Sequence, residues 1–108
     1  LLIRDEHLYV FFTNRGDEPE RIMLSTISLK GDWSEWVASE PIEVLRPEKD
    51  YEGATLPLKA SRGGYIDERV HQLRDPAIYQ EGDKTYLLYS VAGESGIAIA
   101  EIRFDELN

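Results

Sequence analysis

Leu73-Arg74-Asp75-Pro76-Ala77-Ile78-Tyr79 is the one segment in which a charged pair, a strand start and a tight turn just beyond it occur together. Pro76 fixes its own φ angle and pushes Asp75 out of the helical region toward an extended conformation. The apolar residues 77–79 predict a short strand. Residues 81–84 predict a hairpin turn, because Gly82 takes a positive φ angle without steric cost. Further strands are predicted at 85–90 and 97–104, with a turn at 93–96, so residues 73–104 form a three-stranded antiparallel meander in this interpretation.

The N-terminal part of the chain carries a similar pattern. Apolar runs predict strands at 1–3, 8–13, 21–29 and 36–45, and Pro41 restricts the last of these to a sheet edge. Leu8–Thr13 matches Thr85–Ser90, and Ile22–Ser25 matches Ile97–Ala100. We interpret this as an internal repeat of a strand meander. The alternative is a chance similarity between two ordinary hairpins.

A repeated antiparallel unit of four strands, apolar on both faces, is typical of a β-propeller blade. We therefore predict an all-β chain of about two blades. Residues 1–46 form a partial blade of three or four strands, 47–72 a long connecting loop over the pocket face, and 73–108 a final blade of three strands. The chain is expected to begin inside a blade. Since two blades leave an apolar face in water, we expect a C-terminal piece of a longer protein, or completion by association.

The composition excludes several classes of function. With 108 residues the chain is at most one ordinary domain. Its 21 acidic and 12 basic residues give a net charge of −9, which argues against nucleic acid as a partner. No apolar run approaches the roughly 18 residues of a membrane span, so no membrane partner is expected. Cysteine is absent, and His7 and His71 are far apart in sequence, so we predict neither a metal site nor a cofactor.

Two carboxylates are candidates for chemistry. Asp75, between Arg74 and Pro76, suits a pocket residue held ionised by a nearby cation. Its alternative role is to cap a turn beside a surface arginine. Glu52, between Tyr51 and Gly53 on the long loop, suits a general acid. Its alternative role is that of a solvated loop residue.

Cationic and aromatic side chains near these acids are candidates for ligand binding. His71, Arg74, Arg62 and Arg69 supply donors for sugar hydroxyls or a carboxylate, and Tyr51 lies next to Glu52. Histidine at such a position also serves a structural hydrogen bond. Trp33 and Trp36 suit either sugar stacking or packing between blades.

The stretch Leu73–Tyr79, the glycine-containing turn after it and Thr85–Ser90 resemble the blade-opening pattern of five-bladed β-propeller glycoside hydrolases, the arabinanase and β-xylosidase type. Gly31-Asp32-Trp33 is similar to their blade ending, and Tyr51-Glu52-Gly53-Ala54 to the segment that carries an acid before glycine. The resemblance implies a pocket on the propeller axis, in which carboxylates cleave a glycosidic bond.

By this resemblance Asp75 is an axial carboxylate and Glu52 a candidate acid, and the protein is secreted or periplasmic. Two departures stand against a complete catalytic set. The earlier blades, in which the family usually carries its base and most of its acids, are absent from this sequence. The Glu52 motif also has Ala54 where proline is common, and it is too close to Asp75 in sequence for each to open a normal blade. The expected partners are carbohydrate and either the remaining blades or another copy of the chain. The alternatives are a non-catalytic propeller fragment that binds carbohydrate or protein, and a purely structural role in assembly.

Overall fold

The computed structural model describes residues 1–107, which form an all-β structure of two antiparallel sheets. The first sheet has the order β1-β2-β3-β4, and the second has the order β5-β6-β7. The strands of the first sheet are β1 (Leu2–Arg4), β2 (His7–Phe12), β3 (Ile22–Ser28) and β4 (Ile42–Leu45). Those of the second are β5 (Arg74–Glu81), β6 (Lys84–Val91) and β7 (Gly96–Ile102). Single turns of 3₁₀ helix lie at Trp33–Glu35, Asp50–Glu52 and Phe104–Glu106.

Tight turns connect the hairpins, as the sequence predicts. Asp5 and Glu6 join β1 to β2 with φ angles of 49° and 60°, which matches the right-handed twist of the flanking strands. Gly82 has a φ of 61° at the β5–β6 turn. The β1–β2 and β5–β6 hairpins therefore follow from local turn chemistry.

The core lies between the facing surfaces of the two sheets. Alternate residues of β6, among them Leu87 and Tyr89, are buried, as the period of a strand requires. They belong to one cluster with Phe11, Ile22 and Leu24 of the first sheet. Burial of such side chains contributes roughly 1.5–3 kcal/mol each. The two meanders are thus one packed unit.

Residues of both sheets line two recesses at the sides of the core. Leu2, Leu8 and Ile78 line one recess, and Leu45, Leu87 and Ile102 line the other. The closest approach between strands of the two sheets is that of β2 and β5.

The predicted strand at 36–45 is wrong over most of its length. Only Ile42–Leu45 pairs with β3, while Ala38 makes an isolated bridge to Ile27. The reason is that Pro41 has no N–H for a ladder and that residues 33–35 coil into a 3₁₀ turn. Trp33 and Trp36 are 75% and 41% exposed, so these residues do not pack in the core.

Two other strand boundaries differ from the prediction. β5 begins at Arg74 rather than at residue 77, because a bulge lets Asp75 and Pro76 interrupt the ladder without ending it. β7 ends at Ile102, and Phe104 belongs to the following 3₁₀ turn. The described residues after Ile102 add no fourth strand to the second sheet.

Residues 47–72 contain no strand, and Gly53 sets the path of this loop. Gly53 has a φ of 95°. A β-carbon at this position would lie 2.5 Å from the Val70 carbonyl oxygen and 3.0 Å from the Ala92 α-carbon. Only glycine satisfies both the backbone angle and this close approach.

Gly53→Ala is expected to lower the free energy of unfolding by about 2–5 kcal/mol, because positive-φ strain adds to a backbone clash. Gly64→Ala is the matched control: its φ is 89°, and no atom lies within 4 Å of the added β-carbon. The control should lose only the strain, about 1–2 kcal/mol. Urea unfolding measures both, and equal losses would contradict the close approach at Gly53.

Candidate functional site

Arg74, the first residue of β5, is a buried cation. Its residue exposure is 6%. Nε lies 3.2 Å from Glu20 Oε1 and donates to Gln72 Oε1 at 3.1 Å. Glu20 is also buried, and its Oε2 accepts from Thr13 Oγ1 at 2.5 Å. The pairing offsets the desolvation of both charges, which unpaired would cost several kcal/mol.

The rest of the Arg74 guanidinium holds the long loop. Nη1 donates to the Gly64 carbonyl at 2.8 Å and to Glu94 Oε1 at 3.3 Å, and Nη2 donates to the Arg62 carbonyl at 3.2 Å. Glu94 Oε1 also accepts the Ile66 N–H at 2.9 Å. Residues 62–66 are thereby fastened to the start of β5 and to the β6–β7 turn.

A cavity of about 380 Å³ lies against this fastened part of the loop. Two of the predicted binding residues, Arg62 and Arg74, line it. The other lining residues are Lys59, Ala60, Gly63, Tyr65, Ile66, Glu68 and Gln72. The lining is mostly polar, which suits a hydrophilic ligand with several hydrogen-bonding groups.

Glu52 is buried, with an exposure of 4%. Its Oε1 accepts the N–H groups of Glu48 and Lys49, each at 3.0 Å. Its Oε2 accepts the hydroxyl of Tyr89 at 2.6 Å. The carboxylate therefore joins the 3₁₀ turn of the loop to the inner face of the second sheet. Protein donors thus occupy three of the roughly four lone-pair positions of this carboxylate.

Asp75 is exposed and sits in the bulge of β5. The ladder pairs Arg74 with Ser90 and then Ala77 with Leu88, so one extra residue is accommodated. Asp75 has a φ of 53°, which costs an L-residue about 1–2 kcal/mol. Its Oδ2 accepts the Ser90 hydroxyl at 3.2 Å. The bulge turns this carboxylate outward with one protein donor.

The two candidate carboxylates lie on opposite faces of the second sheet. Glu52 bonds to Tyr89 and Asp75 bonds to Ser90. Consecutive side chains of a strand point to opposite faces. Within the described residues, the fold does not bring the two acids together as a catalytic pair.

The other predicted binding residues are divided between surfaces. Tyr51 is 57% exposed and, with Arg69 and Ser95, lines a second recess of about 400 Å³. His71 is half-buried, and its backbone N–H donates to the Pro57 carbonyl at 3.1 Å. The cavity beside Arg74 thus holds only part of the predicted set.

Sequence reasoning missed Glu20, Gln72, Tyr89 and Glu94. Tyr89 carried a usable signal, because the alternation of β6 turns its phenol inward with Leu87, where a hydroxyl needs a partner. Glu20 and Glu94 carried none, since a loop carboxylate is solvated by default.

Between Leu1 and Leu107, no three histidine, cysteine or acidic side chains group closely enough to hold a metal ion. The same residues contain no helix with the length and apolar character to cross a membrane.

No family model and no solved structure matches this chain. The chain is 45% identical over 103 residues to an uncharacterized protein of Acanthamoeba polyphaga mimivirus. The alignment takes in 94% of this chain and 29% of the viral protein, so the chain spans less than a third of that relative. Since the viral protein is uncharacterized, the similarity carries no activity to this chain.

Burial, followed by the hydrogen bond to Glu52 and the charge of Glu52, raises the pKa of Tyr89 well above its ordinary value. The folded protein keeps this proton at pH values where the unfolded chain ionises, above about 10. The stability that the Tyr89 hydroxyl contributes is therefore present below pH of about 10 and is lost as the pH rises further.

Tyr89→Phe is expected to lower the free energy of unfolding by about 1–3 kcal/mol at pH 7, because the buried Glu52 oxygen loses its donor. This gap should narrow as the pH rises above about 10, because the contribution of the Tyr89 hydroxyl, which only the wild type has, is lost there. Tyr65→Phe, at an 83% exposed position, is the control and should change little. Thermal unfolding across this pH range measures the gap, and a constant gap would refute the assignment.

Proposed function

We propose that this chain forms part of a five-bladed β-propeller protein of the glycoside-hydrolase type that acts on oligo- or polysaccharide. In this proposal Asp75 is a carboxylate of the axial pocket, and the cavity beside Arg74 contacts the sugar. The observation that carries the proposal is the outward presentation of Asp75 at the start of a first strand.

The arrangement of the sheets supports this proposal. Each sheet is an antiparallel meander in strand order, and the two share one apolar cluster, with β5 nearest to β2. Neighbouring blades of a propeller are likewise antiparallel sheets that pack side by side around a central channel. In such a frame, the start of β5 would face the hub.

The backbone of Asp75 supports a functional role. A residue other than glycine with φ of 53° stores strain, and such residues concentrate at active sites. Bulges are frequent there too, since they redirect a side chain. Among residues 1–107, the Ser90 hydroxyl is the one side-chain donor to Asp75, so most lone pairs of this carboxylate stay available.

The position of Glu52 favours a second candidate function, carbohydrate binding without turnover. Glycosidases place two carboxyl groups roughly 5–9.5 Å apart across the scissile bond. Glu52 is on the other face of the sheet from Asp75 and is occupied by three donors. Hydrolysis would therefore need a second carboxylate from another blade, and without one the pocket would only bind.

The outer face of the second sheet carries exposed apolar side chains, which supports the proposal that a partner covers it. Ile97 and Ile99 are 78% and 59% exposed, and Tyr79 is 51% exposed beside Tyr86 at a ring distance of 6.4 Å. Contiguous apolar surface of this kind marks an interface in soluble proteins. We propose that the remaining blades, or another copy of the chain, cover it.

Asp75→Asn in the full-length protein is expected to abolish hydrolysis of an aryl-glycoside and oligosaccharide panel, by about 10³-fold or more, because the amide cannot act as base or nucleophile. Asp83→Asn, a change of equal charge in the β5–β6 turn, is the control and should keep full activity. Unchanged turnover in a folded Asp75→Asn protein would remove this carboxylate from the mechanism.

Titration calorimetry with the same glycans separates the two candidate functions. Binding that Asp75→Asn weakens, with no turnover by the wild type, identifies the binding module. Absence of both binding and turnover across the panel contradicts either candidate.

The isolated 108-residue chain is expected to self-associate through the outer face of the second sheet. Light scattering should report species larger than a monomer, and Ile99→Lys should shift the distribution toward monomer. Ile3→Lys, at a 67% exposed position of the first sheet, is the comparison variant. A monodisperse wild-type monomer would count against a covered face.

A further inference from the structure

We propose that the cavity beside Arg74 binds a single sugar residue that carries a carboxylate, a hexuronic acid. This inference rests on the proposed carbohydrate function and narrows its substrate class. The volume of about 380 Å³ is at the lower end of the range for small-molecule sites, which suits one monosaccharide.

Two arginines without carboxylate partners among residues 1–107 lie near Gly63, and one of them, Arg62, lines the cavity. The other is Arg15, whose guanidinium lies against Gly63, where a β-carbon would collide with its Nη2 atom. Within residues 1–107, neither arginine forms a salt bridge. In a chain with a net charge of −9, two unpaired guanidinium groups near this wall favour an anionic ligand.

The other cations of the wall have carboxylate partners. Lys59 Nζ pairs with Glu68 Oε1 at 2.9 Å, and Arg74 pairs with both Glu20 and Glu94, which together outweigh its single positive charge. The attraction for an anion therefore comes from Arg62 in the lining, with Arg15 behind Gly63. It corresponds to one carboxylate rather than to a polyanionic chain, which the charge of the whole chain would repel.

Arg74 keeps one donor that no described residue accepts. A guanidinium has five N–H groups. Nε is directed at Glu20 and Gln72, Nη1 has two acceptors, and Nη2 has one, the Arg62 carbonyl. The second Nη2 hydrogen belongs to a side chain that is 8% exposed and lines the cavity. A ligand oxygen would satisfy it in a charge-assisted hydrogen bond.

Tyr65 distinguishes a sugar from a bare anion. Its side chain lines the cavity and is 83% exposed. An exposed aromatic ring offers a flat apolar surface for the carbon face of a pyranose, while its hydroxyl stays in water. A hexuronic acid would therefore place its ring against Tyr65 and its carboxylate toward Arg62.

Titration calorimetry of the full-length protein with sodium D-glucuronate, D-glucose and sodium sulfate tests this. We expect glucuronate to bind at least about tenfold more tightly than either of the others, because only it engages both parts of the cavity. Arg62→Gln and Tyr65→Ala should each weaken glucuronate binding by about tenfold. Both side chains are exposed, so both variants should fold. Arg103→Gln, an equal loss of charge at an exposed site away from the cavity, should bind as the wild type does.

Each contrary outcome overturns the inference in a recognisable way. If glucose binds as tightly as glucuronate, the cavity has no preference for an acidic sugar. If sulfate binds as tightly as glucuronate, the cavity recognises an anion and not a sugar. Wild-type affinity in Arg62→Gln removes the site from this cavity. Turnover of neutral glycans that depends on Asp75, without glucuronate binding, rejects the acidic ligand and keeps the proposed function. Absence of any glycan binding or turnover rejects both.

Discussion

The structure depends on the burial of one guanidinium group, that of Arg74. A cation at 6% exposure is stable only when most of its donors have partners, and these partners come from three separate segments. Glu20 precedes β3, Gly64 belongs to the long loop, and Glu94 lies in the β6–β7 turn. Because one planar group must satisfy all of them at once, the start of β5 has a fixed relation to each segment. The bulge that exposes Asp75 begins at that same residue.

A second buried contact holds the other end of the long loop. Glu52 accepts from Tyr89 of β6 and from two N–H groups of its own turn. The backbone oxygen of Glu52 also accepts the Ala92 N–H at 3.0 Å. The loop is therefore attached near residue 52 and again at 62–66, although it has no strand of its own. Hydrogen bonds to charged groups, rather than a ladder of strand pairs, hold this loop in place. The bonds at 62–66 fix the part of the loop that lines the cavity.

The sequence predicts the elements of this fold well because their causes are local. The turns at Asp5-Glu6 and Gly82, the alternation of β6 and the strandless loop follow from backbone chemistry and a period of two. The misassigned part of the strand at 36–45 and the burial of Glu20 follow from tertiary contacts that the pattern of apolar residues does not encode. The candidate site divides in the same way. Arg74 and Asp75 could be identified as candidate site residues from their position beside Pro76. The placement of Glu52 and Asp75 on opposite faces of the second sheet could not, because it depends on which β6 residue each side chain contacts.

A double-mutant cycle between Arg74 and Glu20 tests most directly whether this buried pair organises the chain. The free energies of unfolding of the wild type, Arg74→Met, Glu20→Gln and the double variant would be measured in urea. We predict that each single variant is destabilised and that the double variant loses less than the sum, with a coupling energy of about 1–3 kcal/mol. Losses that add within about 0.5 kcal/mol would contradict the account, because they would mean that the two side chains act independently.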